Sequence, residues 1–144
     1  MNNICYSGGA EGADQFWGIL ALNYNHNLIH WSFGKHRKNY NFIGGECTYI
    51  LSQNELNLAD PCLIKANYIL KRQFPTKSLY VNNLLRRNYY QISTSNSVYA
   101  VSNIVNNEIS GGTTWAVQMF ININIDNNEF NPLYVLNQID DIWY

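Results

Sequence analysis

The stretch "ICYSGGAEGADQFWGILALNYNHNLIHWSF", residues 4–33, decides the fold. Residues 3–7, "NICYS", suit a short strand. Gly8, Gly9 and Gly12 then crowd into one turn. Behind them Ala13, Phe16, Trp17, Leu20, Ala21 and Tyr24 fall at i, i+3, i+4, i+7, i+8 and i+11, one apolar stripe of a helix. Asn25 and Asn27 close that helix. "NLIHWSF", 27–33, is nearly all apolar or aromatic, as expected of a strand covered on both faces.

The same alternation continues along the chain. "ECTYIL", 46–51, suits a short edge strand. "SQNE" at 52–55 is a capping box with Ser52 at N-cap and Glu55 at N3. The helix behind it meets Pro61, so a kink or two abutting helices are expected, with Asp60 as a fresh N-cap and Pro61 at N1. Leu63, Ala66, Asn67 and Leu70 carry its stripe on to a stop at Phe74–Pro75. A helix over 78–91 turns Val81, Leu84, Leu85 and Tyr89 inward. "SVYAVS", 97–102, is a strand and "NIVNNEIS" a loop. Thr114 to about Ile123 is a helix burying Trp115, Met119 and Phe120, and "PLYVLN", 132–137, is the last strand. Alternating strands and helices argue an α/β fold: a mostly parallel sheet of four to five strands flanked by helices in a layered sandwich. With no repeat and no linker, 1–144 is expected to be a single domain.

Composition narrows the classes of function. The 144 residues are 47% hydrophobic, 15% aromatic and only 13% charged, with a formal net charge of -1. That balance gives no general electrostatic grip on nucleic acid or an anionic membrane. Abundant Asn and Ile fit AT-rich coding, as in an AT-rich bacterium or a large DNA virus. Cys5, Cys47 and Cys62 are an odd count without C-x-x-C spacing, so free buried thiols are expected. The start "MNNICYSGG" has neither a basic n-region nor an apolar h-region. The expected compartment is the cytoplasm, or the host cytoplasm for a viral protein.

In an open parallel sheet, ligands bind off the C-terminal strand ends, where helix N-termini point unpaired N–H groups and partial positive charge. Gly8, Gly9 and Gly12 let the backbone approach an anion closely. A second turn, "SGGTTWAVQ" at 110–118, opens the Trp115 helix with Gly111 and Gly112. Two such turns suggest two helix N-termini flanking one pocket for a phosphate or sugar-phosphate. Neither is a Walker A loop nor a G-x-G-x-x-G fingerprint.

"YSGGAEGAD", "LLRRNYYQISTSNSVYAV", "GGTTWAVQM" and "PLYVLNQ" followed by "WY" together resemble the SMF/DprA–LOG (SLOG) superfamily, in particular its small stand-alone YpsA-like members. The similarity runs in order through nearly the whole chain. It implies a Rossmann-like three-layer sandwich and a nucleotide or nucleotide-derived ligand, such as an ADP-ribose-like molecule or a cyclic signalling nucleotide, which the protein senses or sequesters. The implied ligand-binding residues are Ser7, Gly8, Gly9, Ala10, Gly12, Ala13 and Asp14 in the first turn. Arg87, Asn88 and Gln91 lie on the intervening helix, and Gly111, Gly112, Thr113, Thr114 and Gln118 at the second turn. The superfamily's Lonely guy phosphoribohydrolases carry an Arg-Lys pair and P-G-G-x-G-T-x-x-E. Arg87 aligns with their arginine, Asn88 stands in place of their lysine, and Gln118 falls where they carry the glutamate. Gln has neither the charge nor the basicity to stabilise an oxocarbenium ion or activate water. The resemblance therefore favours binding over catalysis. The alternative is an N-glycosidase or phosphoribohydrolase acting through Asp14 and Arg87, and a weaker one is a regulatory protein with a vestigial pocket. No cofactor is implied, and the superfamily's habit of assembly implies a homodimer or higher homo-oligomer.

Other residues have a function to weigh against an ordinary role. Asp14 can equally compensate the helix N-terminus or accept a ribose hydroxyl. Arg86 and Arg87 sit about 100° apart on a helix, so at most one faces the pocket, and the alternative is two solvated arginines. His26 and His30 span a helix end and a strand, so no metal site is expected. Lys35 and His36 open the one dense basic run, Lys35–Lys38, which is either a phosphate-contacting flap or a solvated loop. Trp115, Trp143 and Tyr144 are read as core, or as rings near a base, with Tyr144 at an interface or pocket rim.

Overall fold

The computed structural model describes residues 3–36 and 41–144. Strand β1 (Ile4–Ser7), helix α1 (Ala13–Asn23) and strand β2 (Asn27–Phe33) follow as the opening stretch predicts. A single 3-10 turn, Gly45–Cys47, leads into β3 (Thr48–Leu51). The three strands form a parallel sheet in the order β1-β2-β3, with Tyr6 opposite Ile29 and His30 opposite Thr48. β3 is the expected edge of that sheet.

Helices cover both of its faces. Along β2, side chains alternate. His30 points to α1, where the missing Cβ of Gly18 makes room: one built there would stand 2.7 Å from the imidazole. Trp31 and Phe33 point the other way, to α4 (Leu79–Ile92), with ring centroids 5.3 Å from Tyr90 and 5.7 Å from Tyr80 respectively. His30 is thus a fully buried core residue, and no group of three or more His, Cys, Asp or Glu suited to a metal occurs among the described residues.

The second half builds a separate ladder. β4 (Val98–Ser102) pairs in parallel with β7 (Leu133–Asn137), and β8 (Ile142–Trp143) adds antiparallel to β7. A two-stranded hairpin, β5 (Ile104–Val105) with β6 (Glu108–Ile109), separates β4 from α5 (Thr113–Asn127). So the described strands form two three-stranded sheets and a hairpin rather than one ladder of four or five strands. Helix α1 bridges to the second sheet through Trp17, whose ring lies 6.1 Å from that of Tyr99. The main core gathers α3 (Asp60–Leu70), α4 and α5 around Leu63, Ala66, Leu85, Trp115, Met119 and Phe120. Each fully buried side chain of this kind contributes roughly 1.5–3 kcal/mol.

The structure corrects several local expectations. The α1 stripe is rotated: Phe16 and Tyr24 are 61% and 72% exposed, while Gly18 and Ala21 are buried. The helix turns its small residues inward because His30 occupies the space against the sheet. The capping box holds, with Ser52 Oγ accepting from Glu55 N–H and Glu55 accepting from Ser52 N–H at 2.7 Å. Helix α2 (Gln53–Asn57) then abuts α3, as Pro61 requires. Asp60, however, is not the N-cap. Ala59 is, and the Asp60 carboxylate goes to Arg86 instead. α3 stops at Leu70, four residues before Phe74, because Lys71 adopts a left-handed φ of 54°. Val81 is exposed, since α4 buries Asn82, Asn83, Arg86 and Arg87 beside Leu85. The expected loop 103–110 is the β5–β6 hairpin. Asn106 and Asn107 both have positive φ, 52° and 62°, which Asn tolerates in a two-residue turn. Trp143 and Tyr144 belong to an exposed edge and not to the core, with Tyr144 Oη donating to Asp140.

Candidate functional site

β1 ends at Ser7, and the chain turns at once. Gly9 and Gly12 take φ of 62° and 96°, values that L side chains rarely adopt. The turn is tied to the first turn of α1 by its own polar groups. Gly9 N–H donates to Ser7 Oγ (3.3 Å), Ser7 Oγ donates to the Asp14 carbonyl (3.0 Å), and Ala10 N–H donates to Asp14 Oδ2 (3.2 Å). Gln15 Nε2 donates to the Gly9 carbonyl (3.3 Å).

Arg87 enters this turn from α4. Its Nη1 donates to Asp14 Oδ2 at 3.4 Å and to Gln91 Oε1 at 3.3 Å. Gly8 is the reason it fits: a Cβ there would stand 1.2 Å from Arg87 Nη1 and 2.7 Å from Asp14 Oδ2. The first glycine of the turn therefore admits a guanidinium, not an anion directly. Arg87 is 6% exposed, and its Nε has no hydrogen-bond partner among the described residues. Burial pulls the guanidinium below its usual proton affinity, partly offset by the Asp14 carboxylate. The result is a buried cation held by two long hydrogen bonds, with donor capacity left over. The neighbouring Cys5 thiol is pushed up by burial and then by the charge of Asp14, which disfavours its thiolate. All three cysteines are free and half-buried.

Arg86 provides the contrast. It forms a two-pronged pair with Asp60, Nε to Oδ1 at 2.7 Å and Nη2 to Oδ2 at 2.9 Å, and Nη1 reaches Asn83 Oδ1 at 3.0 Å. Neither arginine is solvated, and only Arg87 reaches the glycine turn.

The second turn is built differently. Gly111 has φ 69°, and its carbonyl accepts from Arg72 Nη1 at 2.9 Å. Ser102 Oγ donates to the Ser110 carbonyl at 3.0 Å, which returns the chain from the hairpin to the end of β4. Both glycine-opened helices, α1 after Gly12 and α5 after Gly112, lack a side-chain cap.

Of the sequence-predicted residues, Ser7, Gly8, Gly9, Ala10, Asp14, Arg87 and Gln91 come together in one cluster. Gly12 and Ala13 lie exposed at its rim. Asn88 is half-buried and joins none of these hydrogen bonds. Thr113, half-buried, and Thr114, buried, are not bonded to the cluster either. Gln118 Nε2 donates to Asn122 on its own helix at 3.0 Å. His36 is drawn back onto β2, with Nδ1 2.9 Å from Ser32 Oγ and its ring stacked on Phe33 at 4.9 Å, while Lys35 is exposed. Arg37 and Lys38, the rest of the basic run, lie outside the described residues. Sequence reasoning missed Arg72, which carries no motif, and the aromatic face of β2, which the alternation of Ile29, Trp31 and Phe33 does signal. Compared with protein-family models, curated proteins and solved structures, the chain gives no match.

Proposed function

We propose that this chain is a Rossmann-like binding protein of the SLOG kind, its strands and helices forming the three layers of that fold. Its ligand is a phosphate-bearing, nucleotide-derived small molecule, of the ADP-ribose or cyclic-nucleotide class, held for sensing or sequestration. The observation that carries this reading is Arg87: a buried guanidinium, under-paired and enclosed by a glycine turn at the end of a strand. A phosphate oxygen offers stronger, shorter hydrogen bonds than Asp14 and Gln91 provide at 3.4 and 3.3 Å. The uncapped start of α1 adds N–H donors and a favourable dipole. On this reading the second turn flanks the same crevice. The near-neutral composition supports a small ligand over nucleic acid or membrane, and no described helix is long and apolar enough to cross a membrane. The proposed assembly is a cytoplasmic homo-oligomer.

Calorimetry with ADP-ribose, NAD, nucleoside monophosphates and cyclic nucleotides tests this. A true ligand at a hundred times its Kd raises stability by about 2.7 kcal/mol. Arg87→Ala weakens it by about 1.5–3 kcal/mol. No binding by any of these, or affinity unchanged in Arg87→Ala, overturns the reading. The N-glycosidase alternative draws on one observation, the part-exposed Asp14 carboxylate beside Arg87. Free base released by the wild type and not by Asp14→Ala would favour it.

A further inference from the structure

We propose that a second copy of this chain docks on the α1 side of the molecule about a two-fold axis, so that α1 of each protomer covers the open aromatic face of the other's β4-β7-β8 sheet. This gives the homo-oligomer proposed above its interface, and it draws on none of the residues that would hold the ligand. Side chains alternate along the second sheet. Ala100 and Val135 face α5, where they pack on Val117. Tyr99, Val101, Tyr134, Leu136 and Trp143 share the opposite face, since Tyr99 stands opposite Tyr134, Val101 opposite Leu136, and Leu136 opposite Trp143. Trp17 of α1 reaches that face at Tyr99, which puts α1 on the same side. The rings are contiguous: Tyr99 stacks on Tyr134 at 5.1 Å and meets Trp143 edge-on at 6.3 Å. Even so, Tyr99, Tyr134 and Trp143 stay 52%, 41% and 45% exposed.

α1 presents the matching surface. Phe16, Leu20 and Tyr24 fall at i, i+4 and i+8 on its outer side, because Gly18 and Ala21 take the inner one. The most apolar line of the helix therefore faces away from its own sheet. α1 stands as a ridge beside a lower aromatic floor, and both look the same way. A two-fold axis running along α1 sets the ridge of one protomer on the floor of the other, and the reverse, with the two helices side by side. Such an interface is isologous. No Asp, Glu, Lys or Arg occurs at any of these positions, and depletion of charge marks the core of an interface. The area is sufficient. Phe16, Tyr24, Tyr99, Tyr134 and Trp143 are each about half exposed. With about 200 Å² to a ring they leave roughly 500 Å² per protomer, near the upper end of what a monomer shows in one patch. Two such surfaces, with half-buried Leu20, Val101 and Leu136 added, approach the roughly 1,200 Å² at which stable interfaces begin. A surface without cations suits neither nucleic acid nor an anionic membrane, and a step that complements itself under two-fold rotation singles out a second copy.

Sedimentation equilibrium on the full chain tests this. At about 100 µM the wild type should sediment at twice the 16.7 kDa chain mass, as a micromolar Kd from an interface of this size requires. Phe16→Asp on the ridge and Tyr134→Lys on the floor should each weaken dimerisation at least about tenfold. Their circular dichroism should stay that of the wild type, since both side chains are exposed in the protomer. An equimolar mixture of the two variants should dimerise more tightly than either alone. One half of its interface carries neither substitution, and the other brings opposite charges together. Docking of α1 on α1 and of sheet on sheet would leave a substitution in each half and give no such rescue. Tyr24→Asp and Trp143→Lys take over should either first variant not fold. Arg87→Ala should leave the dimer intact, so that failure of the ligand reading and failure of this one are told apart. A monomeric wild type at that concentration, a dimer that survives in both variants, or a mixture no tighter than its components would overturn the proposal.

Discussion

Arg86 and Arg87 are adjacent on one helix, equally buried, and opposite in their satisfaction. Arg86 docks both prongs of its guanidinium on Asp60 and a third donor on Asn83, with every distance at or below 3.0 Å. It joins α4 to the start of α3. Arg87 reaches Asp14 and Gln91 at 3.4 and 3.3 Å and leaves Nε unpartnered among the described residues. The helix starts repeat the contrast. α2 and α4 are capped by Ser52 and Ser78, whereas the two glycine-opened helices have no side-chain cap. Arg86 and the serine-capped helix starts are well paired, whereas Arg87 and the two glycine-opened helix starts are paired incompletely. Incomplete pairing is costly in a buried setting, and a ligand that completes it is the simplest compensation.

The sharpest way to break this comparison is to replace each arginine by methionine. Arg86→Met removes a well-formed pair and should cost about 2–3 kcal/mol in urea unfolding. Arg87→Met removes a poorly paired buried charge and should cost less than about 1 kcal/mol, because an apolar side chain of similar volume avoids the desolvation penalty. Equal losses in the two variants would mean that Arg87 is as structural as Arg86.

A smaller effect comes from Gly8→Ala. Gly8 has an ordinary φ, so the backbone tolerates alanine, but the new Cβ would occupy the position of Arg87 Nη1. The guanidinium is the end of a flexible side chain and can swing away. We expect a stability loss of about 1–2 kcal/mol from overpacking, together with loss of any phosphate-dependent binding. A variant that keeps its ligand affinity would show that the guanidinium need not sit against the turn.

Much of this architecture is legible in the sequence because it follows local rules. The strand–glycine turn–helix–strand order of residues 4–33, the capping box at Ser52 and the break at Pro61 depend on neighbouring residues alone. The register of α1 was not legible: its most apolar stripe includes Phe16 and Tyr24, which are exposed, and the buried line is chosen by His30 across the sheet. The same holds for Asp60. Its sequence context suits a cap, but an arginine 26 residues away takes the carboxylate. The β5–β6 hairpin was within reach, since Asn106–Asn107 between Ile104–Val105 and Glu108–Ile109 is a two-residue turn signal. At the site, the resemblance's register singled out Arg87 over Arg86, but its contact with Asp14 and the role of Gly8 in admitting it were not legible, because only the packed structure shows which atom fills the missing Cβ.

The mildest perturbation is acidification, and it acts on the paired side of the comparison. Glu55 accepts from Ser52 N–H and from the Tyr49 hydroxyl, and these contacts, the backbone one first, hold its carboxyl below the ordinary value. A carboxyl with a depressed folded-state pKa adds stability above its unfolded value of about 4.3, and that contribution is lost as pH falls through the folded value. The capped start of α2 should therefore loosen on acidification, while neutral pH leaves it intact. Glu55→Gln should remove this part of the acid dependence, making its stability differ from wild type at pH 7 and converge with it at low pH. Ser52→Ala tests the same cap from the other partner and should cost about 1 kcal/mol at neutral pH. A gap between wild type and Glu55→Gln that persists unchanged into acid would place the value of Glu55 in its shape rather than its charge.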